Sequence, residues 1–254
     1  MNLPAEPENS LPDSDHILGR IQSLRQEMGD LCRQVGRDPA SVRIVAVTKT
    51  HPLRAMVDAI HGGLMDLGEN RVQEFLPKIQ AIRESGIQTP GGDKPLFHLI
   101  GHLQTNKAKQ VVAAGIDLVH SVDSLELARE LDKRAAAVGR VQDILLQVNV
   151  SGEESKSGME PELLDPTLGQ IVPAMGHLRV VGLMTMAPFE MEADQTRPVF
   201  AGLRELLAKV ATQYSGAPNF HPQHLSMGMT NDWRQAVTEG ATLIRVGSAL
   251  FGPR

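Results

Sequence analysis

The residues able to do chemistry gather where apolar runs end. Lys49 stands at the end of RIVAVTKT (43–50), after Ile44, Val45, Ala46 and Val47, a run too continuous for a half-exposed strand. Lysine is among the residues least often buried, so an amine there has two readings. Either it is a nucleophile that forms a Schiff base with an aldehyde, because desolvation lowers its pKa, or it snorkels to water from a strand end. Two later stretches suit an anion: Ser226-Met227-Gly228-Met229-Thr230-Asn231-Asp232, and Arg245-Val246-Gly247-Ser248-Ala249-Leu250. Glycine lets a backbone approach closely, while hydroxyls and the first amides of a helix donate to phosphate. The competing reading is a pair of capped turns. His98-Leu99-Ile100-Gly101-His102 has a spacing that suits two metal ligands only on a helix, yet it reads as a strand running into a turn. His98 is therefore expected to pack or hydrogen-bond near a ligand, and His102, Asn106 and Lys107 to cap and begin the next helix; no metal site is expected.

The elements that must position these residues alternate. Strand-like runs at 43–48, 65–68, 96–100, 117–121, 143–150, 178–185, 223–226 and 242–246 are separated by segments of helical period. Leu125, Ala128, Leu131, Ala135 and Val138 form one apolar stripe, and Val199, Leu203, Leu206 and Val210 another. Eight strand–helix units predict a single (β/α)₈ TIM barrel over 13–254; a doubly wound open sheet is the competitor. Neither GxGxxG nor GxxxxGK[ST] is present, which removes the usual nucleotide fingerprints of open sheets. Ile17, Ile21, Leu24, Met28, Leu31 and Val35 predict an extra N-terminal helix at about 14–36 that packs one face onto the barrel. Residues 1–12 hold three prolines and read as a disordered tail. Pro77 predicts an irregular turn at 70–76 and a helix that starts near the proline itself.

Composition narrows the function. No apolar run approaches the roughly 18 residues of a membrane span, and the N-terminus resembles neither a secretory signal nor a transit peptide. The single cysteine, Cys32, fits a reducing cytoplasm. A net charge of −5 with 3% aromatics gives no footprint for nucleic acid.

In a barrel the first and eighth strands are neighbours, and the loops after strands seven and eight commonly hold phosphate. Lys49 beside such a cradle describes a phosphorylated aldehyde, and pyridoxal 5′-phosphate (PLP) carries both groups. Arg245 would then face the pyridine nitrogen and keep it unprotonated, or else form a structural ion pair. The loop Asn149–Gly158 reads as a lid or as an ordinary solvated loop, and Met184 and Met186 as barrel padding. Asp66, Glu69 and Glu74 show no pairing geometry in the sequence.

Seven motifs carry a family resemblance: VAVTKTHP (45–52), GENRVQE (68–74), HLIGHLQTNK (98–107), VNVSGEESKSG (148–158), GLMTMAP (182–188), LSMGMTNDW (225–233) and IRVGSALFG (244–252). In this order they resemble the YggS/PROSC-type pyridoxal phosphate homeostasis family. The resemblance implies an alanine racemase N-terminal-domain-like barrel, fold type III among PLP proteins. It also implies cofactor-binding roles for Lys49 (Schiff base), Asn70, Ser226, Arg245, Gly247 and Ser248; with His98 placed near the ligand as above and Met227 in the loop after Ser226, these make up the expected cofactor-binding set, with no catalytic residue. Arg71 departs from the tyrosine that many members carry after GEN. The implied role is storage, regulation or delivery of PLP to apo-enzymes, without established catalysis. The rival, an amino-acid racemase, needs an acid/base group on each face of its substrate. Tyr214, the one tyrosine, is expected away from the catalytic face, and the chain ends at Arg254 without a dimer-completing domain, so a monomer is expected. A Schiff-base aldolase or decarboxylase is a third reading.

Overall fold

A computed structural model describes residues 13–153, 157–188 and 190–252. The Pro-rich segment 1–12, residues 154–156 of the glycine-bearing loop, residue 189 and the last two residues lie outside this set. Eight parallel strands close into a barrel in sequence order: β1 (Arg43–Val47), β2 (Asp66–Glu69), β3 (Leu96–Leu99), β4 (Leu118–Val122), β5 (Gln142–Gln147), β6 (Leu178–Met184), β7 (Phe220–Ser226) and β8 (Leu243–Val246). The open-sheet alternative is thereby excluded. Closure runs through β1 and β8, where Val45 pairs with Arg245 and Ala46 with Val246.

The helices follow their strands. They are α1 (Ser14–Gln34), α2 (Leu53–His61), α3 (Val72–Ser85), α4 (Ala108–Ala113), α5 (Leu125–Ala137), α6 (Leu164–Ala174), α7 (Arg197–Gln213), α8 (Trp233–Thr238) and α9 (Ser248–Phe251). Helix α1 precedes the barrel and buries Ile17, Ile21, Leu24, Met28 and Cys32 against α2, α8 and α9. Arg37 ties its end down by donating to the carbonyls of Val237 and Ala241.

Alternation along β1 separates two apolar clusters. Ile44 and Ala46 join the large cluster between strands and helices. Val45 and Val47 point inward to a smaller one with Ile100, Leu118, Leu145, Val181, Met184 and Leu243. A strand with both faces buried requires the unbroken apolar run that the sequence shows at 44–47.

Three expectations are corrected. Helix α3 begins at Val72 and carries Pro77 inside it. Proline in a helix interior costs about 3 kcal/mol, and burial of Val72 and Phe75 offsets that cost, with Phe75 edge-on to Phe97 at 5.9 Å. The α5 stripe stops at Ala135, because Val138 lies past the helix end and is 55% exposed. Strand β7 starts at Phe220 rather than 223 and contains Pro222. The proline falls where the β6–β7 register shifts between Val180–Phe220 and Gly182–His224, so the ladder is interrupted there in any case.

Phe75→Ala is expected to lose about 3–5 kcal/mol of stability, measured by urea unfolding. A loss well below that would mean the early start of α3 does not rest on this side chain.

Candidate functional site

At the carboxyl end of the strands lies a cavity of about 480 Å³. Its wall includes Val47, Lys49, Asn70, Ile100, His102, Gln147, Ser157, Met186, Thr230, Arg245, Gly247 and Ser248. Lys49 shares the inward parity of Val45 and Val47, four and two positions earlier, and among the described residues it is the one lysine on this wall. The residue after it, Thr50, is the one non-glycine with positive φ among the described residues, at 64°. A β-branched residue there is strained, so its surroundings must fix it. Thr50 N donates to Glu74 Oε2 at 3.2 Å, and its hydroxyl donates to the Lys49 carbonyl at 2.6 Å.

Beneath this turn sits a second lysine. Lys78 Nζ donates to Glu69 Oε1 at 2.6 Å and to the Thr48 carbonyl at 3.0 Å, and Thr48 Oγ1 donates to the same Glu69 oxygen at 2.8 Å. Burial pushes the Glu69 carboxyl above its ordinary pKa, and Lys78 and Thr48 pull it back only in part. The acidic residues without a partner in the sequence thus have defined ones in the fold: Glu69 with Lys78, Glu74 with Thr50, and Asp66 with Arg43 and His98. Their partners are brought close only by the packing of neighbouring elements.

On the other side of β1 from β2, the loops after β7 and β8 meet. Ser248 Oγ donates to Thr230 Oγ1 at 3.2 Å, and Met229 N donates to Asp232 Oδ1 at 2.6 Å. Gly228 has φ 90°, and a Cβ there would lie 2.5 Å from the Ala236 side chain. Gly247 turns β8 into α9, and its Cα faces the Val47 carbonyl so closely that a Cβ would stand 3.1 Å from that oxygen. The amides that open α9 have no intrahelical acceptor.

Arg245 is 4% exposed and ends on the cavity wall. Its Nη1 donates to Ser226 Oγ at 2.7 Å and its Nη2 to the Thr185 carbonyl at 3.0 Å. Burial lowers its pKa to about 10, with Asp232 acting in the opposite direction, so it remains a cation at neutral pH.

Of the eight residues named from the sequence, Lys49, Asn70, Arg245, Gly247 and Ser248 line the cavity. Ser226 lies behind Arg245 as its hydrogen-bond partner. Met227 is fully buried among the apolar side chains outside the barrel, while its amide donates to the Leu243 carbonyl. His98 is inside the barrel, one inward position below the wall residue Ile100, and bonds to His120. His102 does not cap a helix; it stands on the cavity rim with Nδ1 at 3.3 Å from Asp123 Oδ2. Met186 lines the cavity, whereas Met184 packs inside the barrel. Arg71 is exposed and off the cavity wall, so its departure from the family pattern does not alter that wall. Thr230, in the glycine loop expected to suit an anion, lines the cavity as that loop predicts. His120 is not marked in the sequence; its signal is a histidine at an inward position of β4.

Barrel and cavity together define a protein of the alanine racemase N-terminal-domain class, and residues 20–254 match the family described as "Alanine racemase, N-terminal domain". Within it the chain belongs to the pyridoxal phosphate homeostasis protein family. It is 40% identical over 239 residues to the protein of that name from Pseudomonas aeruginosa, covering 94% of this chain and 96% of that one. To the Aquifex aeolicus protein of the same name it is 38% identical over 235 residues, covering 92% and 97%. The structure of PipY from Synechococcus elongatus with PLP bound matches with a TM-score of 0.77 at 37% identity, covering 93% of this chain and all of that one.

Lys78→Met is expected to cost about 3–5 kcal/mol near pH 8, because Glu69 is left as an unpaired buried carboxylate. Glu69 has a raised pKa in the fold. The deficit should therefore shrink as pH falls through that pKa and protonation removes the charge. Urea unfolding across pH reads it, and a deficit independent of pH would contradict this role for the pair.

Proposed function

We propose that this protein binds PLP covalently through Lys49 and acts in PLP homeostasis, storing, regulating or delivering the cofactor rather than turning over a substrate. One arrangement carries this reading: a single lysine stands at the exit of β1, on the same cavity wall as the paired hydroxyls of Ser248 and Thr230. An amine and an anion cradle are the two handles that PLP requires. When bound, PLP supplies an aldehyde that a primary amine captures with loss of water. Lys49 would be that amine, held by the constrained Thr50 turn. Ser248, Thr230 and the opening amides of α9 would hold the phosphate, Arg245 would face the ring nitrogen, and Asn70 would contact the ring from the β2 side. The PLP-bound PipY structure and the relatives named pyridoxal phosphate homeostasis proteins support the assignment.

The carrier reading is favoured over racemisation by where the tyrosine sits. Tyr214 donates to Asp165 Oδ1 at 2.6 Å and is not on the cavity wall. Its pKa is pushed up to about 12, by burial first and by Asp165 second. It is the chain's one tyrosine, so none faces Lys49 from this chain. The proposal extends to a cytoplasmic monomer that passes PLP to apo-enzymes, in keeping with a single cysteine, buried in α1.

Incubation with PLP should give a visible absorbance band that Lys49→Ala abolishes; a protein that stays colourless would contradict the reading. Exchange of the α-proton of L- and D-alanine in deuterated water should stay well below ordinary enzyme turnover of about 1 per second. Exchange at that rate would make the protein an enzyme.

A further inference from the structure

The polar side chains inside the barrel form one continuous line from the cavity to the opposite end. Arg245 Nη1 donates to Ser226 Oγ at 2.7 Å, and Ser226 Oγ meets His120 Nδ1 at 2.9 Å. His120 Nε2 meets His98 Nδ1 at 2.9 Å, and His98 Nε2 lies 2.9 Å from Asp66 Oδ1, somewhat off the axis of a well-directed hydrogen bond. Arg43 clamps both oxygens of Asp66. The line joins β8, β7, β4, β3, β2 and β1, and Arg43 and Asp66 are the first residues of their strands. Ser226, His120, His98 and Asp66 are all buried, and none of them lines the cavity.

This line has one order of protons that leaves no polar hydrogen stranded. Burial raises the Asp66 pKa, but His98 and Arg43 more than reverse that, so the carboxyl is held below its ordinary range and is ionised. A carboxylate only accepts, so the nitrogen facing it, His98 Nε2, must carry hydrogen. Neutral His98 then offers Nδ1 as an acceptor, so His120 carries its hydrogen on Nε2 and accepts on Nδ1. The Ser226 hydroxyl donates to that nitrogen, which leaves its lone pairs for Arg245. A doubly protonated His98 would reverse the line: His120 would donate to Ser226, and the serine hydrogen would lose its acceptor in the line. His120 is held neutral, since burial, then His98 and Arg245, push its pKa well below the ordinary value.

We propose that His120 and Asp66 are positioning residues: acting through Ser226, they fix the Arg245 guanidinium where it meets the ring nitrogen of the bound cofactor. The protonation of that nitrogen is thereby set in part from the far end of the barrel. This inference rests on the PLP reading above.

The test loads full-length protein with PLP labelled with ¹⁵N in the ring, then records the ring-nitrogen chemical shift and the rate of PLP release. The wild type should show an unprotonated ring nitrogen. His120→Leu and Asp66→Asn should both move the signal toward the protonated form and release PLP about tenfold faster, the scale of coupling within one hydrogen-bond network. His120→Gln can still accept from Ser226 and should stay close to wild type. Asp66→Asn keeps an acceptor of the same size for Arg43, so it decides the matter if His120→Leu does not fold. A merely structural role would alter stability and leave the ring-nitrogen signal unchanged. Asp66→Asn that binds PLP with the wild-type signal overturns the relay alone. A wild type that takes up no PLP overturns the underlying reading as well.

Discussion

A guanidinium with almost no access to water is the constraint around which this barrel is arranged. An unpaired buried charge is costly enough that the protein must replace its hydration with fixed dipoles. For Arg245 those dipoles come from the Ser226 hydroxyl on β7 and the Thr185 carbonyl after β6, with the Asp232 charge nearby. Three consecutive strand ends are thus tied together by one side chain. Ser226 in turn needs an acceptor, and through it the demand passes to His120, His98 and Asp66. The barrel interior is consequently divided: Val45, Leu145, Val181 and Met184 fill one part as ordinary core, and a polar line crosses the rest.

Lys49, the proposed attachment point, is set up by different means. Lys49 lies where β1 runs out, and the strained Thr50 behind it is tethered by Glu74 from α3. The same helix supplies Lys78 to neutralise Glu69 on β2, directly below. Helix α3 therefore serves the site although only the loop before it, at Asn70, reaches the cavity. This explains why the helix begins as early as Val72 in spite of Pro77: Glu74 and Phe75 must be helical to meet Thr50 and the core.

Much of this was legible in the sequence, for identifiable reasons. The run at 44–47 pointed to a strand buried on both faces, and the alternation that follows it favoured the barrel over an open sheet, which closure through β1 and β8 then decides. Lys49, Arg245, Gly247 and Ser248 were visible because strand exits in a barrel converge on one face. The interior line was not visible. His98 and His120 are 22 positions apart, and His120 and Ser226 are 106 apart, so their contact exists only once the barrel closes. His120 was also hidden within the apolar run 117–121, where only its inward parity marks it. Strand β7 was read too short because Pro222 and the exposed His221 and Gln223 conceal its first half, which the register shift accommodates. Pro77 misled for a comparable reason, since local propensity was outweighed by burial.

The central claim is that Lys49 is the point of covalent attachment for an aldehyde cofactor, and reductive trapping tests it most directly. Borohydride treatment of the PLP-loaded protein followed by peptide mass mapping should place a single stable pyridoxyl adduct on Lys49. An adduct concentrated on Lys78 or on surface lysines, with Lys49 unmodified, would contradict the account.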